Sequence, residues 1–407
     1  MKWISIFSLL VICMSNIFPN DTWENGLMDL GNGNDMFYIY FKARNPIKGN
    51  QTPLILWLTG GPGCSGLIAL YMEHGPNLIL RDGSFVYNPY SWNNNSDIIY
   101  VDSPIGTGFS RAANQSYVCH EENCVSRNLY IFLLKFYNKH PDINKRPFYI
   151  FGESYGGHYV PSISAYIIRA NNSLINFKGY GVGNGLTDPF HQMGAYPKFL
   201  YENGNISFGQ FISCQIFSVA CVADLKISPY NSTFWCGPYW GYLMQIGNIV
   251  NAYNIAINYT YDEQEEKVQK YLNQPSVQHE LGVDSRKWEP CNGSVGSNFG
   301  DDFYRSYKSD VEYALQQGYK VLIYAGDYDF ICNWESNRNY LKFLNWKGEK
   351  EFNKQKLKPW MVGKEEAGLF ESYENLMFIR IYKAGHMAPM DKPNELLYML
   401  NNFVEAI

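Results

Sequence analysis

"YIFGESYGGHYVP", residues 149–161, sets a serine between two glycines, with an apolar run before it and another after. The run ending at Gly152 reads as a buried strand, and Tyr155 to Arg169 carries a helical pattern. Ser154 therefore stands where a strand turns into a helix. Gly152 and Gly156 allow that turn to be abrupt, a strained bend that lifts the hydroxyl above the sheet edge. The helix that follows offers its first free amides to a developing oxyanion. Such a short motif recurs by chance, so a nucleophilic Ser154 requires a base, an orienting acid and oxyanion donors from elsewhere in the chain.

Working outward, apolar runs bounded by Gly, Pro and Asn recur at 37–41, 54–58, 97–101, 148–152, 180–184, 321–326 and 377–382. They read as strands, several of them buried on both faces. Helical patterns lie between them, at 128–140, 155–169 and 309–319, and this alternation predicts an α/β fold with a mostly parallel sheet and flanking helices. From about Asp188 to Gly300 the rhythm breaks into clustered cysteines and irregular aromatic segments. Strand-like segments resume afterwards, so this stretch is expected to be a cap or insertion in one main domain spanning 16–407. The lysine-rich stretch 347–358 is expected to be a solvated hairpin.

The chain has 407 residues and a formal net charge of -5, with no basic stripe, which removes the electrostatic footprint of a nucleic-acid partner. Its 33 Tyr, 25 Phe and 10 Trp are expected to build an aromatic core. Residues 1–15 read as a secretory signal, with one lysine, an apolar stretch from Trp3 to Met14, and small residues before the cut. No later segment reaches about 18 apolar residues in a row, so no membrane association is expected once the signal is removed. Nine N-x-S/T sequons, at Asn20, Asn50, Asn94, Asn114, Asn171, Asn205, Asn231, Asn258 and Asn292, are expected to lie at the surface carrying glycans. Besides Cys13, eight cysteines remain, and an oxidising compartment makes most of them disulfide candidates. Cys119 and Cys124 are close enough to bridge within one loop, whereas Cys214, Cys221 and Cys236 cannot all pair among themselves.

In α/β-hydrolases the acid and then the histidine follow the serine, each on a loop after a later strand. His158 lies one helical turn beyond Ser154 and is expected to pack against the sheet, and His191 and His279 fall in the insertion. His386 alone sits in a Gly-His-x-x-Pro loop directly after a strand, which makes it the candidate base. The loop after 321–326 offers Asp327 and Asp329. Asp329, two residues deeper, is the better orienter of His386, although spacing alone does not separate the two. The glycine-rich stretch 57–66, "WLTGGPGCSG", suits a second oxyanion donor. It completes no phosphate loop, and the chain has no H-E-x-x-H or other tight His/carboxylate cluster, so neither a metal nor a cofactor is expected.

With "NPYSWN", "DSPIGTGFS", "GESYGGHYVP", "YAGDYDFICNW" and "AGHMAP" following "WLTGGPGCSG" in this order, the chain closely resembles the serine carboxypeptidases from about residue 25 onward. The resemblance implies an α/β-hydrolase fold with Ser154, Asp329 and His386 as the triad and the amides of Gly61 and Tyr155 as the oxyanion hole. It implies a Cys64–Cys291 disulfide, an unpaired Cys332, and a leaving-group pocket lined by Cys332 and Met387. It also implies that Glu153, Glu73 and the Gly60 amide bind a substrate's terminal carboxylate. Two ionised glutamates would repel that group, so the cluster must share a proton, and peptide cleavage should favour acidic pH.

One departure concerns Thr59, where these peptidases usually carry an Asn that helps bind the carboxylate. A Thr here also resembles the plant acyltransferase branch of the fold, which passes an acyl group from a sugar ester to an alcohol. That branch generally has Asp where this chain has Glu153. A secreted binding protein without the chemistry is a third reading, against which the intact Ser154, Asp329 and His386 count. The expected partners are peptide or protein C-termini, and the expected location is the lysosome or vacuole, or outside the cell. Side-chain preference, and the choice between monomer and homodimer, stay open at this level.

Overall fold

The computed structural model describes residues 17–47, 51–227 and 233–405. The expected signal at 1–15 and the sequons at Asn50 and Asn231 lie outside these ranges. Twelve strands occur among the described residues: β1 (Trp23–Gly31), β2 (Asn34–Phe41), β3 (Leu54–Leu58), β4 (Asn77–Ile79), β5 (Phe85–Tyr87), β6 (Asp97–Val101), β7 (Phe148–Ser154), β8 (Phe177–Gly185), β9 (Lys320–Gly326), β10 (Lys358–Val362), β11 (Glu365–Tyr373) and β12 (Leu376–Ile381). The main helices are α1 (Gly66–Met72), α2 (Glu122–Lys139), α3 (Gly156–Ala170), α4 (Phe208–Ile227), α5 (Thr233–Ile246), α6 (Asp262–Leu272), α7 (Lys308–Gln316), α8 (Trp334–Leu341) and α9 (Pro393–Glu405).

Ten strands form one sheet in the order β1-β2-β6-β3-β7-β8-β9-β12-β11-β10. The six from β6 to β12 are parallel, and antiparallel pairs extend the sheet at both edges. Side chains alternate across the sheet. Leu54, Leu56, Phe148 and Ile150 enter one hydrophobic core with α2, α3 and α7, while Ile55, Trp57, Tyr149 and Phe151 enter a second with α1 and α9. Burial on both faces explains why these strands read as continuous apolar runs. The architecture is the three-layer arrangement of an α/β-hydrolase.

Parallel alignment has one consequence for the site. The loops after β3, β7, β8, β9 and β12 all leave the sheet at the same edge, the carboxyl ends of the strands. Residues from five distant parts of the sequence are thereby delivered to one rim.

All seven expected strands are present, but β1, β10 and β11 were not legible. Their sequences, such as "EEAGLFESY", mix charges and glycine into half-exposed faces. The stretch 347–358 is not a hairpin: Glu349–Phe352 forms a helical turn, and the chain then runs into the edge strand β10. The segment expected to be irregular is largely helical between β8 and β9. Cys221 and Cys236 link α4 to α5, Cys119 pairs with Cys124, and Cys64 with Cys291, leaving Cys214 and Cys332 free and buried. By length and composition α4 could cross a membrane, because its serines and glutamines interrupt the apolar run without supplying charge. It buries Cys214, Ser218, Cys221 and Leu225 against the protein and exposes Phe208, Ile212, Ile216 and Val219. The sequons are not uniformly at the surface. Asn20, Asn114, Asn171 and Asn258 are exposed, but Asn94, Asn205 and Asn292 are half-buried and donate Nδ2–H bonds to Pro89, Gly247 and Gly106 carbonyls.

Candidate active site

Strand β7 ends on Ser154, whose φ of 63° lies in the left-handed region that non-glycine residues rarely adopt. Packing enforces the bend. A Cβ on Gly152 would stand 2.6 Å from the Leu58 carbonyl oxygen and 2.7 Å from a Val160 methyl. Across the turn, β3 pairs with β7 up to Leu58 and Gly152, so the glycine loop after β3 abuts Ser154. A Cβ on Gly60 would lie 2.4 Å from the Tyr155 nitrogen and 2.8 Å from the Ser154 Cβ. That loop is anchored on its far side by the Cys64–Cys291 disulfide and by backbone bonds from Ser65 to Pro290 and from Asn292 to Gly63.

His386 is 1% exposed, and its Nδ1 lies 2.9 Å from Asp329 Oδ2. Asp329 is fully buried, and its Oδ2 also accepts from Asn184 Nδ2 at 2.7 Å and from the Cys332 amide at 3.2 Å. These contacts fix the aspartate and place the proton of the neutral ring on Nδ1. Nε2 is then the lone-pair nitrogen; it is buried and makes no hydrogen bond. Ser154 and His386 line one cavity of about 350 Å³. Serine–histidine hydrogen bonds in unliganded sites often tighten only when substrate arrives.

The two aspartates differ in what they touch. Asp327 Oδ1 accepts from the Lys383 amide at 2.6 Å, and its other oxygen faces Arg380, so it braces the loop and does not reach the imidazole. His158 is buried with Nδ1 2.6 Å from the Leu186 carbonyl and stacks on Tyr155, and burial pushes its pKa down. His191 pairs with Asp188.

Glu73 caps the C-terminus of α1, and Glu153 immediately precedes Ser154 at the end of β7. Both line the cavity, both are at most 3% exposed, and their carboxyl groups share a hydrogen bond. Burial pushes both pKa values well up; the charge and hydrogen bond of Glu73 raise Glu153 further, whereas the hydrogen bond from Glu153 offsets part of the rise at Glu73, so the pair retains a proton at neutral pH. One oxygen of each, Oε2, has no hydrogen-bond partner. Thr59 also lines the cavity, and its Oγ1 accepts the Trp57 indole N–H at 2.9 Å, which leaves its own O–H proton to donate elsewhere.

Two residues that hold the site in place were not foreseen. Tyr253 receives the His386 amide on its carbonyl at 2.6 Å and sets its ring edge-on to the imidazole at 4.6 Å. Asn184, with φ of 44°, bonds Asp329 and accepts from the Gly326 amide. A lone Asn among glycines at a strand end, "GVGNG", was the available signal. Met387 lines the cavity, but Cys332 does not; its amide instead supports Asp329. A larger cavity of about 570 Å³ lies between β10–β12 and α9, away from every titratable group described above. Among the described residues no group of three His, Cys, Asp or Glu could hold a metal ion.

The family model for serine carboxypeptidases matches residues 16–406. The chain is 36% identical to serine carboxypeptidase-like 49 of Arabidopsis thaliana over 96% of its own length and 80% of that protein's. It is 36% identical to carboxypeptidase Y of Candida albicans, covering 91% of this chain and 70% of the relative. A crystal structure of a prohormone-processing carboxypeptidase from Saccharomyces cerevisiae superposes with a TM-score of 0.85 at 24% identity, covering 95% of this chain and 92% of that one, which establishes the shared fold. The chain belongs to the serine carboxypeptidases, a family of serine-type hydrolases.

Proposed function

We propose that this protein releases C-terminal amino acids from peptides through an acyl-enzyme on Ser154, most efficiently at acidic pH. The observation that carries the reading is the buried, proton-sharing Glu73–Glu153 pair opening into the cavity that holds Ser154 and His386. An endopeptidase or esterase has no use for such a pair. An exopeptidase needs it to receive a free carboxylate.

In this mechanism the substrate's terminal carboxylate takes the shared proton's hydrogen bond from the glutamates, with the Thr59 hydroxyl and the Gly60 amide as further donors. His386 Nε2 accepts the Ser154 proton as Oγ attacks the scissile carbonyl, and Asp329 stabilises the imidazolium. The Gly61 and Tyr155 amides receive the oxyanion; the close approach of the Gly60 loop to the Tyr155 nitrogen supports that pairing. The imidazolium then protonates the leaving amine, and water, deprotonated by the same His386, hydrolyses the ester. Met387 borders the departing residue. As pH rises the glutamate pair loses its proton and repels the carboxylate, so peptide cleavage weakens. Three disulfides, together with the sequence signal, support residence in the secretory pathway, in a lysosome or vacuole or outside the cell.

Thr59 favours one competing reading, transfer of an acyl group from a sugar ester to an alcohol. The free O–H of Thr59 supports the peptidase instead, because it can donate to a carboxylate. The test is incubation with a blocked dipeptide at mildly acidic pH and, separately, with a sugar ester plus alcohol acceptor. Release of the C-terminal amino acid, and fluorophosphonate labelling lost in Ser154→Ala, are expected. Transfer without release would reverse the assignment.

A further inference from the structure

The mechanism above uses Tyr155 only through its backbone amide, yet the side chain is anchored as well. Its ring is 2% exposed and stacks on His158 at 4.2 Å and on Phe303 at 5.8 Å. Its hydroxyl donates to Asp302 Oδ2 at 2.7 Å, across 147 positions of sequence. Asp302 is itself buried, and its Oδ1 accepts the Tyr307 hydroxyl at 2.7 Å, with an Arg305 guanidinium nitrogen 3.7 Å from the same oxygen. The carboxyl is thus held by both oxygens.

The segment that carries Asp302 also grips the other oxyanion donor. It begins at Cys291, which is disulfide-bonded to Cys64 of the glycine loop, and the Asn292 amide donates to the Gly63 carbonyl at 2.8 Å. The Asn292 side chain then caps the short helix Gly293–Asn298, which sits so close to the loop that a Cβ on Gly296 would stand 3.0 Å from the Pro62 carbonyl oxygen. One stretch, 291–307, therefore holds the loop bearing Gly61 at one end and the ring of Tyr155 at the other. The anchor has a strain to oppose. Ser154 is held at a φ of 63°, and turning the peptide unit between Ser154 and Tyr155 is the direct way to relax it. That unit carries the Tyr155 N–H. Turning it also pulls the tyrosine side chain from its contacts, so a ring tied down at its far end resists the rotation.

We propose that Asp302 is a positioning residue for the oxyanion site: by accepting the Tyr155 hydroxyl it keeps the Tyr155 amide aimed at the reacting carbonyl. The inference rests on the acyl-enzyme reading above and adds to it what sets the geometry of one donor.

Tyr155→Phe and Tyr307→Phe make a matched test. Each deletes one 2.7 Å hydroxyl bond to the same carboxyl, but only the first releases the oxyanion residue. Both are expected to lower the melting temperature. Tyr155→Phe should lower kcat on a blocked dipeptide about tenfold with KM within about threefold, and slow fluorophosphonate labelling of Ser154 by the same factor, whereas Tyr307→Phe keeps both rates within about threefold of native. Asp302→Ala should approach the loss of about 10²-fold that a 1 Å misplacement brings, and Asp302→Asn, which keeps one accepting oxygen, should recover part of it. Equal losses of kcat in the two tyrosine variants would make the effect general loosening and overturn the proposal. So would a Tyr155→Phe protein that melts earlier with kcat unchanged, or one altered in KM alone. A native protein that neither labels at Ser154 nor releases a terminal amino acid would instead remove the carboxypeptidase reading beneath it.

Discussion

Replacing Gly60 with alanine tests how the oxyanion site is held. The added Cβ would lie 2.4 Å from the Tyr155 nitrogen, 2.7 Å from the Glu153 carbonyl oxygen and 2.8 Å from the Ser154 Cβ, whereas ordinary contact begins at 3.4 Å. Two of the three atoms are backbone of the strand-to-helix bend, and the third belongs to the nucleophile, so none can swing aside as a flexible side chain would. Relief requires the glycine loop to move by about 1 Å, carrying the Gly61 amide with it. A misplacement of that size costs about 10²-fold in rate, and outright loss of one oxyanion donor costs about 10²–10³-fold. Gly60→Ala is therefore expected to lower kcat on a blocked dipeptide by at least about 10². Gly209→Ala is the matched control, since its Cβ would meet nothing within 4 Å. Steady-state kinetics and fluorophosphonate labelling rates read the effect directly, and thermal melts exclude global unfolding. If Gly60→Ala folds and keeps kcat within about threefold, the close approach of loop and nucleophile is not what positions the donors, and the oxyanion assignment is wrong.

Three further outcomes follow from the geometry. Asp329→Asn should leave the fold intact but lower kcat by about 10⁴, because an amide nitrogen facing Nδ1 favours the wrong tautomer; a loss below about tenfold would exclude Asp329 as the orienter. Thermal stability should fall as pH rises from about 4 to about 7. Burial raises Asp102 from 3.8 to about 7 and pushes Glu73, Glu153 and Glu122 up as well, so the folded state keeps protons that the unfolded chain has lost, and the contribution is complete only below the unfolded pKa. A melting temperature that climbs over this range, measured by calorimetry, would contradict the burial of these acids. Tyr155→Phe removes a 2.7 Å bond to Asp302 Oδ2 and leaves that 2%-exposed carboxylate with Tyr307 as its remaining tyrosine donor. It should cost about 1–3 kcal/mol in denaturant unfolding, and an unchanged midpoint would refute the role of that contact.

The sequence by itself determined what depends on local pattern. Strands buried on both faces, such as Leu54–Leu58 and Phe148–Ser154, announce themselves because every position is apolar. Gly152 and Gly156 announce the bend, because few other residues permit it. Edge strands and the helical region between β8 and β9 were hidden, since their solvent-facing positions blur periodicity and their helices bury only part of their surface. Spacing along the chain leaned to Asp329 over Asp327 and the family resemblance implied it, but only the tertiary structure shows the physical difference between these two acids on one loop: the first reaches His386, the second turns to Lys383 and Arg380. It likewise brought in Asn184 and Tyr253, set the Cys332 amide as a brace behind Asp329, and gave the contact between Glu73 and Glu153, 80 positions apart, that the family resemblance implied. Such facts are distances between loops on neighbouring parallel strands. The order of those strands in the sheet fixes them, and no spacing along the chain encodes that order.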